Sequence, residues 1–137
     1  MKTINADIIV DATNATLGRL ASYSAKQALL GKKIIIVNCN DAVIAGKPRG
    51  IINEYKDIRS KGGASLHGPF FPKSPEKIVK RTIRGMLPHR QQRGRSALKN
   101  IVCFNDLPEE YKDLKKLAAG KPKNTKTISL RLLSREI

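Results

Sequence analysis

Apolar residues recur along this chain in two rhythms, short continuous runs and longer stretches at helical spacing. Residues 7–11 read DIIVD, a run rich in β-branched side chains that predicts a strand. A turn-like segment follows at 12–15, and Thr16 is placed to cap a helix. Leu17, Leu20, Ala21, Ala25, Ala28 and Leu29 then share one helical face, and Gly31 stands where a glycine commonly ends a helix. The run IIIV at 34–37 comes directly after. It is continuous instead of alternating, as in a strand of a parallel sheet covered on both faces. Strand, helix and strand in this order make a βαβ unit.

Residues 38–41 read as a turn and 42–45 as another short strand, closed by Gly46. From Lys47 to about Arg59, Ile51, Ile52, Tyr55 and Ile58 fall on one face with Lys47, Arg49, Lys56 and Arg59 largely off it, which predicts an amphipathic basic helix. Residues 60–73 carry Gly62, Gly63, Gly68, Pro69 and Pro72 and are expected to form an extended loop, a feature that is usually functional in a compact domain. Ser74, Pro75 and Glu76 mark a helix start: a capping residue, a proline at the first position and an acid at the positive end of the dipole. The expected buried stripe is Ile78, Val79, Thr82, Ile83 and Met86, and Pro88 stops the helix. The segment HRQQRGRS at 89–96 is expected to be a glycine-containing basic turn leading to a strand at 101–104. Further on, 108–117 predicts a short surface helix, 121–126 a basic linker, and 129–137 a last helix docking through Leu130, Leu132 and Leu133.

A chain of 137 residues, 40% of them hydrophobic, suffices for one domain with a core and argues against global disorder. Charge changes the picture more. There are 27 Lys+Arg against 11 Asp+Glu, a net charge of +16, which calls for a polyanionic partner. Residues 73–99 hold nine basic residues and one acid, so half the net charge lies in 27 residues. The helix within this segment would hold Lys77, Lys80, Arg81 and Arg84 as a rigid array, and Arg93, Gly94 and Arg95 would let backbone approach a phosphate. Arginine outnumbers lysine here five to four, which suits bidentate phosphate recognition.

Other chemistries find little support. Neither GxGxxG nor a Walker A loop occurs, so no nucleotide cofactor is expected, although the helix starting near Thr16 could hold one phosphate. Cys39 and Cys103 are isolated and lie beside apolar runs, which predicts no metal site, no disulfide scaffold and a reducing, cytosolic compartment. Pairing either cysteine with His67 or His89 as a nucleophile is disfavoured, and the eleven acids leave little material for a carboxylate pair. No apolar run is longer than residues 34–37, and none pairs a cationic face with a membrane-seeking one, so no membrane partner is expected. The cations are scattered over helix faces and loops, and helix-turn-helix, zinc-finger and basic-zipper patterns are missing, which favours RNA over DNA. Six aromatics suggest recognition of shape and phosphate more than base reading.

The segment IRGMLP at 83–88, followed by the basic glycine segment at 93–95 and a strand at Ile101, resembles the signature of the large-subunit ribosomal protein L13 (uL13) family. DATNATLGRLA at 11–21 is similar to that family's opening strand-to-helix turn, Val37-Asn38 with Ala45, Gly46 and Lys47 to its central strands, and GPFFPK at 68–73 to its archaeal and eukaryotic branch. The resemblance implies an α/β fold, a three-layer α/β/α domain with a small, mainly parallel four-stranded sheet over 7–106. Residues 107–137 would then be a C-terminal extension of short helices and a basic linker. It implies binding of large-subunit rRNA in subunit assembly, beside neighbouring ribosomal proteins, with no enzymatic activity, cofactor or small-molecule substrate. Carried over by motif, Arg81, Arg84, His89, Arg90, Arg93, Arg95 and Lys99 would face the RNA, with Gly85, Met86 and Pro88 shaping the turn. Lys47, Arg49, Lys61, His67 and Lys73 are added on charge and loop position. Where the family often has an aromatic and lysines after the proline, this chain has HRQQ at 89–92. An alternative role, a translational regulator that binds mRNA outside the ribosome, follows from the family's eukaryotic members.

Overall fold

The structure is a computed structural model that describes residues 6–61, 70–121 and 124–137. Its centre is the expected βαβ unit: β1 (Ile8–Asp11), α1 (Leu17–Leu29) and β2 (Ile34–Val37). β1 and β2 run parallel with Ile8 opposite Ile34 and Val10 opposite Ile36. All four residues of β2 are buried. Alternation splits them, so that Ile34 and Ile36 join Val10 under α1 while Ile35 and Val37 join Ile9 on the opposite face. Gly31 ends α1 with φ +90°, as its position implies.

The remaining elements are β3 (Val43–Ala45), α2 (Pro48–Ser60), α3 (Pro75–Gly85), α4 (Gln92–Lys99) and β4 (Ile101–Cys103). β5 (Leu117–Ala118), β6 (Thr127–Ser129) and α5 (Leu130–Glu136) follow. The parallel sheet has the order β4-β2-β1-β5, four strands in all. β3 is a strand, but it pairs antiparallel with β6 in a separate two-stranded sheet. The main sheet's fourth strand is β5, which aligns Leu117 with Val10.

The helical face of the sheet is covered by α1 and α3, which bury Leu20, Ala21, Ile78, Val79 and Ile83. The opposite face is closed by Tyr111, packed on Ile9, Ile35 and Val37 with Phe104 and Leu107 at its margin. Tyr111 sits in a single 3-10 turn at Glu109–Tyr111, where a surface helix over 108–117 was expected. Two glutamates and a proline shape that turn, and burial of one large aromatic ring is what holds it.

α3 starts at Ser74 as its sequence predicts, but the cap comes from elsewhere. The Ser74 hydroxyl makes no capping bond, and the amide of Glu76 donates to Asn105 Oδ1 at 2.9 Å. Met86, expected in the buried stripe, is 44% exposed, and Leu87 takes the buried place. α2 buries no residue completely and leans on the core through Ile51, Ile52 and Tyr55. α5 is capped by Ser129, whose hydroxyl accepts from the Leu132 amide. It docks through Leu130 and Leu133, while Leu132 faces outward.

Candidate functional site

The basic segment that follows Pro88 is not a turn. Arg93, Gly94 and Arg95 belong to α4, and Gly94 is buried on the inner side of that helix. A Cβ at this position would overlap the carbonyl group of Pro88 and crowd the amide of His89. Glycine is therefore needed for close packing of α4 on the 88–89 backbone, and this backbone is not free to meet a phosphate. The helix leaves Arg93, Arg95 and Lys99 exposed on its outer side. Ala97 anchors it to the core.

α3 delivers the other half of the cationic corner. Arg84 is exposed at its C-terminal end, and Arg90 is exposed in the link to α4. Arg81, Arg84, Gly85 and His89 line a shallow cleft of about 240 Å³. The His89 ring is held by Nδ1, which lies 3.2 Å from the Arg84 carbonyl and 3.4 Å from the Leu87 carbonyl. Both are acceptors only, so Nδ1 carries the proton.

Two members of the expected α3 array have duties within the fold. Lys80 donates to the Ile101 carbonyl at 3.0 Å and covers the open edge of β4. Arg81 is half-buried, with its guanidinium 4.4 Å from the centre of the Phe71 ring and one nitrogen donating to the Phe70 carbonyl at 3.3 Å. Phe71 in turn meets Tyr55 of α2 edge-on at 5.4 Å. Arg81 therefore ties residues 70–71 and α2 to α3.

Lys73 is exposed just before α3, and Lys61 just after α2. Lys47 and Arg49 are exposed at the start of α2, which follows β3 of the second sheet. His67 lies outside the described residues. Between Lys77 and Asn105 the chain carries no acid. Among the described residues the ion pairs are Lys112 with Glu109 and Arg131 with Asp41, and neither draws on the α3–α4 corner.

Two features of the surface escape a linear reading. One is Phe70, 74% exposed beside Arg81. The other is a cleft of about 350 Å³ where Arg19, in the first turn of α1, comes together with Gly120 and Lys121. About a hundred residues separate its two walls in sequence, and only the pairing of β5 with β1 brings them together.

Cys39 is unsuited to act as a nucleophile. Cys39 is fully buried, and its hydrogen bond with the Cys103 side chain, together with burial, pushes its thiol far above the ordinary range. Asp11, in contrast, is held below its ordinary value. Burial works to raise it, but hydrogen bonds from the Thr13 hydroxyl and amide and from Asn38 outweigh that, with Lys116 adding to the effect. The carboxylate is structural and joins the ends of β1 and β2.

Fold and surface together define an α/β domain on a parallel sheet, presenting an unpaired cationic corner built from two helices. The family model for ribosomal protein L13 matches residues 5–110. Large ribosomal subunit protein uL13 of Methanosarcina barkeri is 46% identical over 106 residues, covering 77% of this chain and 75% of that protein. The proteins of the same name from Archaeoglobus fulgidus and Haloarcula marismortui are 42% identical over 111 residues and 40% over 128. They cover 80% and 92% of this chain, and 70% and 87% of their own lengths. The chain belongs to the ribosomal protein L13 family.

Proposed function

We propose that this chain is a structural constituent of the cytoplasmic large ribosomal subunit. It binds large-subunit rRNA through the C-terminal end of α3 and the outer side of α4, supports subunit assembly and lies beside other large-subunit proteins. The reading is supported by the name its relatives carry, large ribosomal subunit protein uL13. The observation that carries the RNA contact is the α3–α4 corner, where Arg84, Arg90, Arg93, Arg95 and Lys99 are all exposed. Such a surface repels itself, and a polyanion relieves that repulsion.

The mechanism is electrostatic docking on a rigid base. Ile78, Val79, Ile83 and Ala97 fix both helices to the core, so the cations keep their spacing before RNA arrives. Each phosphate they neutralise releases counterions, so affinity falls with salt at a slope of about 0.7–0.9 per phosphate. The guanidinium groups can each engage a phosphate through two parallel hydrogen bonds.

The test is equilibrium binding of the purified chain to large-subunit and small-subunit rRNA of its own source, titrated with salt and repeated with Arg84→Ala/Arg93→Ala. Preference for the large-subunit RNA, with weaker binding and a smaller salt slope in the double variant, is expected. Its thermal midpoint should match wild type, since both side chains are exposed. Equal binding to both RNAs, untouched by the substitutions, would overturn the assignment of this corner.

A further inference from the structure

Phe70 is an exposed aromatic ring on a backbone that is held in place. Its 74% exposure exceeds that of every other large apolar side chain among the described residues. Yet its carbonyl accepts a hydrogen bond from Arg81 at 3.3 Å. The next residue, Phe71, is gripped between Tyr55 at 5.4 Å and the Arg81 guanidinium at 4.4 Å. One phenylalanine of the pair is thus used to anchor the segment, and the other is left in solvent.

A ring left in water on an anchored backbone offers a flat apolar face that a partner gains by covering. The surroundings say which kind. Arg81 adjoins the ring's backbone and lines the cleft shared with Arg84 and His89, and Lys73 is exposed three residues on. Between Lys61 and Asn105 the chain's one acid is Glu76, which accepts a hydrogen bond from the Ser74 hydroxyl at 3.3 Å. On α2, Glu54 acts on Tyr55 and, among the described residues, makes no ion pair with the cations of α3. An apolar ring set among cations fits a partner that is anionic and also has flat apolar faces. Nucleic acid has both, and an unpaired base offers its face without disrupting a helix.

We propose that Phe70 is a stacking platform for an unpaired base of the bound RNA, with Arg81 as the residue that positions it. This deepens the RNA-binding reading and rests on it. The phosphates engage the α3–α4 corner, while one base leaves its strand to cover the Phe70 ring. The contact carries no charge, so it adds affinity without adding to the salt dependence.

The chain has no tryptophan and three tyrosines, so Phe70→Trp places at the platform the one fluorophore that is excited selectively, at wavelengths tyrosine does not absorb. The experiment is binding of the full chain to large-subunit rRNA, comparing wild type with Phe70→Ala, Phe70→Leu and Phe70→Trp. Alanine should weaken binding about tenfold, as expected for one lost stacking contact, with the salt slope unchanged. Leucine keeps apolar bulk but lacks a π-face and should behave like alanine. Tryptophan should bind at least as tightly as wild type, and its emission should be quenched as RNA is added. Wild-type affinity in both the alanine and leucine variants, with no quenching of the tryptophan, overturns the stacking role. If Arg84→Ala/Arg93→Ala still loses binding in that case, the RNA reading stands and the ring serves an apolar segment of a neighbouring protein. If the wild-type chain does not bind the rRNA, the RNA reading falls and the stacking role falls with it.

Discussion

Asp11 shows how a single side chain sets a boundary in this fold. Its Oδ1 accepts from the Thr13 hydroxyl at 2.7 Å, the Thr13 amide at 3.0 Å and Asn38 Nδ2 at 3.1 Å. These bonds secure the two turns that follow β1 and β2, including Asn38 in its left-handed conformation at φ 59°. The folded carboxyl is held below its ordinary value, so its contribution to stability is complete above the unfolded pKa of about 3.9 and is lost as pH falls through the lower folded value. Asp11→Asn keeps an acceptor oxygen but cannot titrate. Thermal melts should show wild type ahead of the variant by a constant margin from neutral pH down to about pH 4, with the gap closing below that. A gap that persists unchanged to strongly acid pH would show that the charge is not what stabilises the turn. The sequence marks Asp11 as a strand-end turn residue and places Thr13 two residues on, within local reach, but the third donor, Asn38, comes within reach only once β1 and β2 are paired.

Among the elements, α4 departs furthest from its sequence. Arg93-Gly94-Arg95 has the composition of a turn, because glycine is a poor helix former, and the like charges of Arg95 and Lys99, four residues apart, also oppose a helix. Tertiary packing overrides both. Ala97 and Gly94 face inward, and the helix closes on the Pro88 carbonyl at a distance that only glycine permits. Gly94→Ala is therefore expected to cost about 1–3 kcal/mol, the usual range for overpacking, even though alanine is the better helix former. The measurement is chemical denaturation, and a variant as stable as wild type would show that α4 can shift freely. Displacement of α4 should also weaken RNA binding, since it moves Arg93 and Arg95 together. β3 illustrates the opposite case, in which the strand at 42–45 was legible but its partner was not. It pairs with β6, more than 80 residues away in sequence, where Val43 faces Ser129, and the Val43 amide also donates to the Ala15 carbonyl at 2.9 Å.

At the scale of the whole molecule, the last thirty residues are built into the sheets and the core. β5 covers the free edge of β1, β6 completes the second sheet, and Ile128, Leu130 and Leu133 are buried within the main core. Burying three such side chains contributes about 1.5–3 kcal/mol each. That sum is comparable to the total margin of about 5–15 kcal/mol that holds a domain of ordinary stability folded. A chain ending at Asp106 is accordingly expected to lose its cooperative thermal transition. Leu133→Ala, a milder change, should cost about 2–5 kcal/mol while leaving RNA affinity per folded molecule unaltered. Circular dichroism melts of both variants check this, and a truncated chain melting near the wild-type temperature would show that the tail is dispensable.

The βαβ opening, the parallel character of β2, the start of α3 and the concentration of charge at 73–99 were legible in residue order alone. Each of these is a local property, written in the spacing of apolar residues, in the proline and acid of a first helical turn or in a count of cations, and each survives folding because distant contacts reinforce it, as Asn105 does at the start of α3. Folding was needed to reveal that the segment after Pro88 is a helix, that Met86 is exposed and that Lys80 covers the edge of β4. The same holds for β5 as the fourth strand of the main sheet, and for Phe70 standing in solvent while Phe71 is gripped. These outcomes depend on which surfaces meet. A backbone donor finds its acceptor, and a ring its neighbour, across tens of residues, and the free energy of that meeting exceeds the preference of any short stretch.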